Sequence, residues 1–260
     1  MRIGLGLFGV VIATALALSL AGCGGGGSGP NLPDPIIRFA NVSPDANPLD
    51  YYLDYGSTNQ VKEATGLAYL GSSSNITIHK FDTSSGNNLS VVDPTQPSLG
   101  QLDSVSFTFA RNNYYLCVNV GLENYGSEFA KRLQLLTFQY DHTAPNGNKA
   151  NLLIVHGYME APGLDTPNID FQGGPVGSYD PNNPQFSSTN ISFADANPPT
   201  LQVDAGVSLI FQARWAGLEN VLASDPGTTF DAGGIYLALV SGVEGQSGAE
   251  APKVTYIKLN

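Results

Sequence analysis

A chain of 260 residues with a formal net charge of −11, only 13% charged positions, 30 Gly and 17 Pro is long enough for two domains of about 110 residues, each with its own core. The acidic excess repels phosphate backbones and excludes nucleic acid as a partner. Turn formers in that number, with 10% aromatics and no long apolar run at helical period, exclude a helical protein and point to an all-β one.

Residues 1–22 carry one charge, Arg2, then an apolar run from Ile3 to Leu20. This has the form of a secretion signal; the alternative is a transmembrane anchor, since the run approaches the roughly 20 residues that span a bilayer. Removing the segment leaves 10 basic against 22 acidic residues, a net charge of −12. Leu20-Ala21-Gly22-Cys23 closely resembles the lipobox of bacterial lipoproteins. The resemblance implies cleavage between Gly22 and Cys23, with Cys23 carrying lipid, and several acyl chains hold a protein to a membrane where one is marginal. Residues 23–35 then form a tether rich in Gly, from Gly24 to Pro30, a random coil with an end-to-end distance of roughly 5–6 Å × √n. By resemblance to enterobacterial lipoproteins, the absence of Asp after Cys23 favours the outer membrane or cell surface over the inner membrane in a cell with two.

The first domain is expected over 36–142. Its strands are Ile36 to Val42, Tyr51 to Leu53 beyond the turn cluster Ser43 to Pro48, Asn75 to Phe81, Leu89 to Val92, Val105 to Phe109, Tyr114 to Val120 and Leu133 to Tyr140. A linker without apolar periodicity occupies 143–150, with Pro145 and the Asn146-Gly147 pair. The second domain, 151–260, repeats the theme with Asn151 to Tyr158, Ile169 to Phe171, Asn190 to Phe193, Leu201 to Val203, Val207 to Trp215, Ile235 to Val240 and Val254 to Leu259. Gln172 to Gln185 is expected to be an exposed loop. Short strands joined by Gly, Pro, Asn and Asp turns point to two tandem antiparallel β-sandwiches, with a pair of closed barrels as the alternative.

The halves are degenerate copies. Asn41 falls on His156 at an offset of 115 and, after a longer turn in the second copy, Leu49-Asp50-Tyr51 lies opposite Ile169-Asp170-Phe171. YYLCVNVGLE (114–123) falls on IYLALVSGVE (235–244) at an offset of 121, which also sets Phe109 on Phe230 and Arg132-Leu133 on Lys253-Val254. The opening IRFANVSPDANPLDYYLD, with Ser43-Pro44-Asp45-Ala46, Asp50 and Asp54, resembles the start of the bacterial domain of unknown function 4397 family. That resemblance implies tandem immunoglobulin-like sandwiches in a cell-envelope protein and supplies no catalytic residues. The second copy departs from it, with Tyr158-Met159-Glu160 in place of Ser-Pro-Asp.

Little chemistry converges in the sequence. With Cys23 lipidated only Cys117 remains, aligned with Ala238, and it is expected to be a packing residue. His79, His142 and His156 are scattered, far from the four converging ligands of a zinc site. No Gly-x-Ser-x-Gly elbow or phosphate-binding loop is present. Asp45, Asn47 and Asp50 are the candidate ligands of a calcium loop, although Asp and Asn beside Pro are more simply explained as turn formers. No cofactor and no catalytic residue is expected. Function is left among a non-catalytic module that binds, adheres or spaces, with a surface protein or a glycan as partner; an envelope hydrolase acting on glycan or peptide between the domains; and a purely structural lipoprotein. Tyr51-Tyr52, Tyr114-Tyr115 and Trp215 would serve a sugar-binding platform if exposed, or the core if not.

Overall fold

A computed structural model describes residues 32–81, 86–125, 131–160 and 166–260. Pro33 to Asn260 form one compact unit. The lipobox, with Gly22 and Cys23, and the tether up to residue 31 lie outside the described residues.

The described part is all β. The first repeat contains β1 (Ile36–Asn41), β2 (Leu49–Leu53), β3 (Val61–Leu67), β4 (Ile76–Thr77), β5 (Asn87–Val92), β6 (Gln101–Phe107), β7 (Tyr114–Val120) and β8 (Gln134–Tyr140). The second contains β9 (Lys149–Met159), β10 (Ile169–Pro175), β11 (Phe186–Ile191), β12 (Thr200–Asp204), β13 (Ser208–Trp215), β14 (Val221–Ser224), β15 (Thr228–Thr229), β16 (Ile235–Val243) and β17 (Lys253–Lys258). In the first, sheet β4-β1-β7-β8 faces sheet β3-β2-β5-β6; in the second, β12-β9-β16-β17 faces β11-β10-β13-β14, with β15 added to β13. Each pair of sheets encloses a core, around Phe39, Tyr51, Leu89 and Cys117 in one and Ile154, Phe171, Phe211 and Ala238 in the other.

A third core joins the repeats. Ala40, Leu116, Val118 and Leu136 of the first pack with Leu153, Val155, Leu237 and Leu239 of the second. The inner sheets are therefore apolar on both faces, which is why β7 and β16 read as nearly unbroken apolar runs. Gly157 sets how closely they approach, since a Cβ there would lie 3.1 Å from Val42 Cγ1 and 3.2 Å from Val120 Cγ1. Tyr69 Oη donates to Ser241 Oγ at 3.0 Å, and the Arg38 guanidinium donates to the Lys258 carbonyl.

The sheets are antiparallel except at one place in each repeat, where β1 runs parallel to β7 and β9 parallel to β16. The Ser43–Pro48 turn carries the chain across to the other sheet instead of closing a hairpin, so β1 takes a partner from the far end of its repeat. Registers match the repeat: Asn41 pairs with Asn119, and His156 with Val240. Tyr115 Oη accepts the Ala110 N–H at 2.8 Å and Tyr236 Oη that of Asp231 at 3.0 Å, each Tyr packed edge-on against Phe109 or Phe230. This is the tyrosine corner of immunoglobulin-like sandwiches, and it occurs twice.

Several expectations need correction. Val120 pairs with Gln134 and Ser241 with Lys253, so the last strands align at an offset of 119 and Lys253 falls on Gln134, not Arg132. Gly121 and Gly242 keep that register: a Cβ on either would collide with a carbonyl, of Arg132 and of Ala251. β3 was not expected, because Lys62, Glu63 and Gly66 hide the pattern of an edge strand whose charges guard it. β14 and β15 are too short to leave a pattern. The loop expected over Gln172 to Gln185 begins later, since Gln172–Pro175 complete β10. Gly173 lies under the Phe211 ring, whose Cδ1 would be 2.5 Å from a Cβ. The strand expected at Asn190 to Phe193 lies earlier, and Phe193 instead bridges to His156.

Candidate functional site

The repeats leave a groove of about 530 Å³ along the edge strand β8, bounded by Phe107 of β6, Asn151 and Leu153 of β9, and Asn197, Pro198 and Thr200. A second depression of about 460 Å³ shares Gln139, Tyr140 and Asp141 with it and reaches Asn112, Asn113, Tyr114 and His142. Both lie within the size range of small-ligand sites. Phe138 and Tyr140 are each 6% exposed, so they present edges, not open faces. The Tyr114 ring is covered by His142, stacked at 3.8 Å and 8°. Burial pushes the His142 pKa down, and its Nε2 has no partner among the described residues. Asp141 is an anion, held below the usual range by the Thr143 side chain and N–H. The Thr137 hydroxyl points away, to Cys117 Sγ at 3.4 Å. The Thr143 hydroxyl is bonded to the Asp141 carboxylate, which lies on the rim the two depressions share.

The sequence-derived candidates sit elsewhere. Asp45 accepts Ser43 Oγ at 3.2 Å and the N–H groups of Glu123 and Asn124 at 2.9 Å, tying the Ser-Pro-Asp-Ala turn to the loop after β7. Asn47 donates to Asp93 at 3.0 Å. Asp50 belongs to a different cluster, accepting from Lys62, Thr65 Oγ1 and the Gly66 N–H at 2.7 to 2.9 Å. Burial alone would raise its pKa, but these donors hold it below the ordinary value. Asp45 and Asp50 are thus taken by separate sets of protein donors while Asn47 donates to Asp93, and the described residues contain no group of three His, Cys, Asp or Glu able to hold a metal.

Sequence reasoning missed Asp93 and Glu123, which no local motif brings together. Asp93 is fully buried; burial would raise its pKa, but Asn47 and Thr95 hold it at about 2. Glu123 is pushed the other way, to about 7, by burial and then by the adjacent Asp93. Its Oε1 accepts from Gln96 at 2.8 Å, and Oε2 is buried with no donor among the described residues. That is the environment of a neutral carboxylic acid beside an ionised one.

The repeats differ in one buried cluster. Tyr51 Oη donates to Asn119 Oδ1, Asn119 Nδ2 to Asn41 Oδ1 at 2.8 Å, and Asn41 Nδ2 to the Leu67 carbonyl at 2.9 Å. In the second repeat the aligned residues are Phe171, Val240 and His156. His156 is 1% exposed; its Nε2 bonds the Pro167 carbonyl at 3.1 Å, Nδ1 has no partner among the described residues, and burial lowers its pKa to about 4. Tyr51→Phe should therefore cost about 1–3 kcal/mol by stranding the Asn119 carbonyl. Adding Asn119→Val, as the second repeat does, should recover much of it; denaturant unfolding of the single and double variants measures both. Cys117 is fully buried, with its thiol pKa pushed to about 12 by burial. Tyr51, Tyr52, Tyr115 and Trp215 are likewise core residues.

No protein-family model matches the chain, and no curated protein does. Several solved structures resemble it distantly, two of them as follows. One is a family 26 carbohydrate-binding module from Eubacterium rectale in complex with maltoheptaose, at 14% identity over 86% of this chain and 96% of that one, with a TM-score of 0.23. The other is a candidate adhesin from Bacteroides ovatus, at 10% identity over 87% and 92%, with a TM-score of 0.17. At such scores neither likeness carries an argument about function.

Proposed function

We propose that the protein is a lipid-anchored, non-catalytic binding module of the bacterial cell envelope, exposed at the outer membrane or cell surface and related to the domain of unknown function 4397 family. The observation that carries the binding role is the groove along β8, where side chains of both repeats converge. Asn112, Asn113, Gln139, Asn151 and Asn197 around the two depressions are uncharged hydrogen-bonding groups suited to recognition, not to proton transfer. The anchor rests on Leu20-Ala21-Gly22-Cys23, so Cys23→Ser should release the protein from the membrane fraction and abolish labelling by a palmitate analogue. For binding, envelope glycans and surface proteins arrayed on a solid support should retain the wild type. A Gln139→Arg/Asn151→Arg/Asn197→Arg variant, folded as judged by its melting, should be lost from the array. Retention of that variant would place binding outside the groove and end this proposal.

A further inference from the structure

Resting on the binding role of the groove, we infer that its ligand is an extended segment of another protein, added as a fifth strand to the open edge of β8. Among the described residues β8 bonds to β7 on one side and to no strand on the other. Which of its backbone groups face outward follows from the neighbours. The Asn113 and Asn119 carbonyls accept from Ile36 and Val42, so odd-numbered residues of β7 face β1 and even-numbered ones face β8. Leu116 is paired with Phe138 and Val118 with Leu136, which commits the even-numbered residues of β8 to β7. The odd ones point outward. Leu135 shows it directly, its N–H donating to Asp103 at 2.8 Å.

Beyond Leu135, the N–H and C=O groups of Thr137 and Gln139 face the groove. The corresponding edge in the second repeat, β17, is treated differently: its outward Lys258 carbonyl is taken by Arg38. Nor does β8 carry the usual protection of an edge, since its sequence QLLTFQY contains no charge and no proline.

The groove selects among occupants. Two N–H and two C=O groups at the two-residue spacing of a strand match a peptide backbone, the mode of strand addition. A sugar would want open ring faces, whereas Phe138 and Tyr140 are buried and Tyr114 is already stacked. A second copy of the chain is disfavoured because both copies would be strongly acidic. With the exposed Asp141 at the end of β8, the segment should be uncharged or basic.

The test is amide hydrogen exchange by NMR on the full-length chain, with the peptide KTVTVTK as probe. In the free protein the Thr137 and Gln139 amides should exchange fast and those of Leu136 and Phe138 slowly; saturating peptide should protect Thr137 and Gln139. The peptide N-methylated on alternate residues facing β8 should bind at least about tenfold more weakly. Gln139→Pro should weaken binding similarly while melting like Gln139→Ala, because an outward N–H can be lost from an edge without breaking the ladder. Should the proline variant fail to fold, the methylated peptide still decides. Protection of Thr137 and Gln139 without peptide, or equal binding of both peptides, would overturn the inference. If only an oligosaccharide perturbs the groove, strand addition fails and the binding role stands; if neither perturbs it and the array retains nothing, the binding role fails as well.

Discussion

Leu237→Asp should lower the melting temperature of the whole unit from Pro33 to Asn260, by about 10 °C or more, and in a single transition. Leu237 is fully buried between the inner sheets, among Val118, Val155 and Leu239. A carboxylate there has no partner, and burying an unpaired charge is among the few mechanisms that cost about 4 kcal/mol or more. At this chain length each kcal/mol corresponds to roughly 2–4 °C. The single transition is the more telling part. Each sandwich has a core of its own, so independent repeats would melt separately and only the second would respond to a change in β16. The third core removes that independence, because exposing it strips apolar cover from both inner sheets at once. Leu218→Asp, at a residue 58% exposed, serves as the control and should change little. Calorimetry showing two separated transitions, only one of them moved by Leu237→Asp, would refute the shared core as the source of cooperativity.

What the sequence disclosed and concealed follows from the same packing. β7 was legible to the residue, because a central strand apolar on both faces leaves a dense signal, and β16 was placed from its first residue. The repeat was legible too, since matched parallel registers and the two tyrosine corners need the same residues at the same spacing. The apposition of the inner sheets was available in principle: LLIV at 152–155 and LALV at 237–240 are too continuous for strands with a wet face. β3 was hidden by its guarding charges. The groove left no motif at all, because an open edge is defined by backbone groups that carry no sequence signature, and its walls come from residues more than 50 positions apart. Asp93 and Glu123 were concealed for a related reason, each lying in a loop whose partner is distant in the chain.

That acid pair sets the second large effect, a dependence of stability on pH that Glu123→Gln should unmask. In the unfolded chain Glu123 loses its proton near the ordinary value of 4.5, whereas in the folded protein it holds it to about 7. Between those values the folded state binds more protons, so this group's contribution falls as pH rises and stays low above 7. His156 works in the opposite sense over nearly the same window. Its folded pKa is about 4 against an ordinary 6.5, so the unfolded state binds the extra proton and stability rises with pH from about 4 to 6.5. Asp93, held at about 2 against 3.8, adds stability that is lost only as pH falls through that range. The wild type should therefore vary little between pH 4.5 and 6.5, its two buried groups offsetting one another. Glutamine keeps the neutral shape of the protonated acid, can still accept from Gln96, and adds a donor for Asp93. Glu123→Gln should match the wild type near pH 4.5 and exceed it by about 1–2 kcal/mol at pH 8, while its own stability climbs from pH 4 to 6.5 as His156 becomes visible. Urea unfolding of both proteins across pH 4 to 8 measures the difference. A gap that does not widen with pH would mean that Glu123 is ionised in the folded protein, and the Ser-Pro-Asp-Ala turn would then be held against the repulsion of its neighbours.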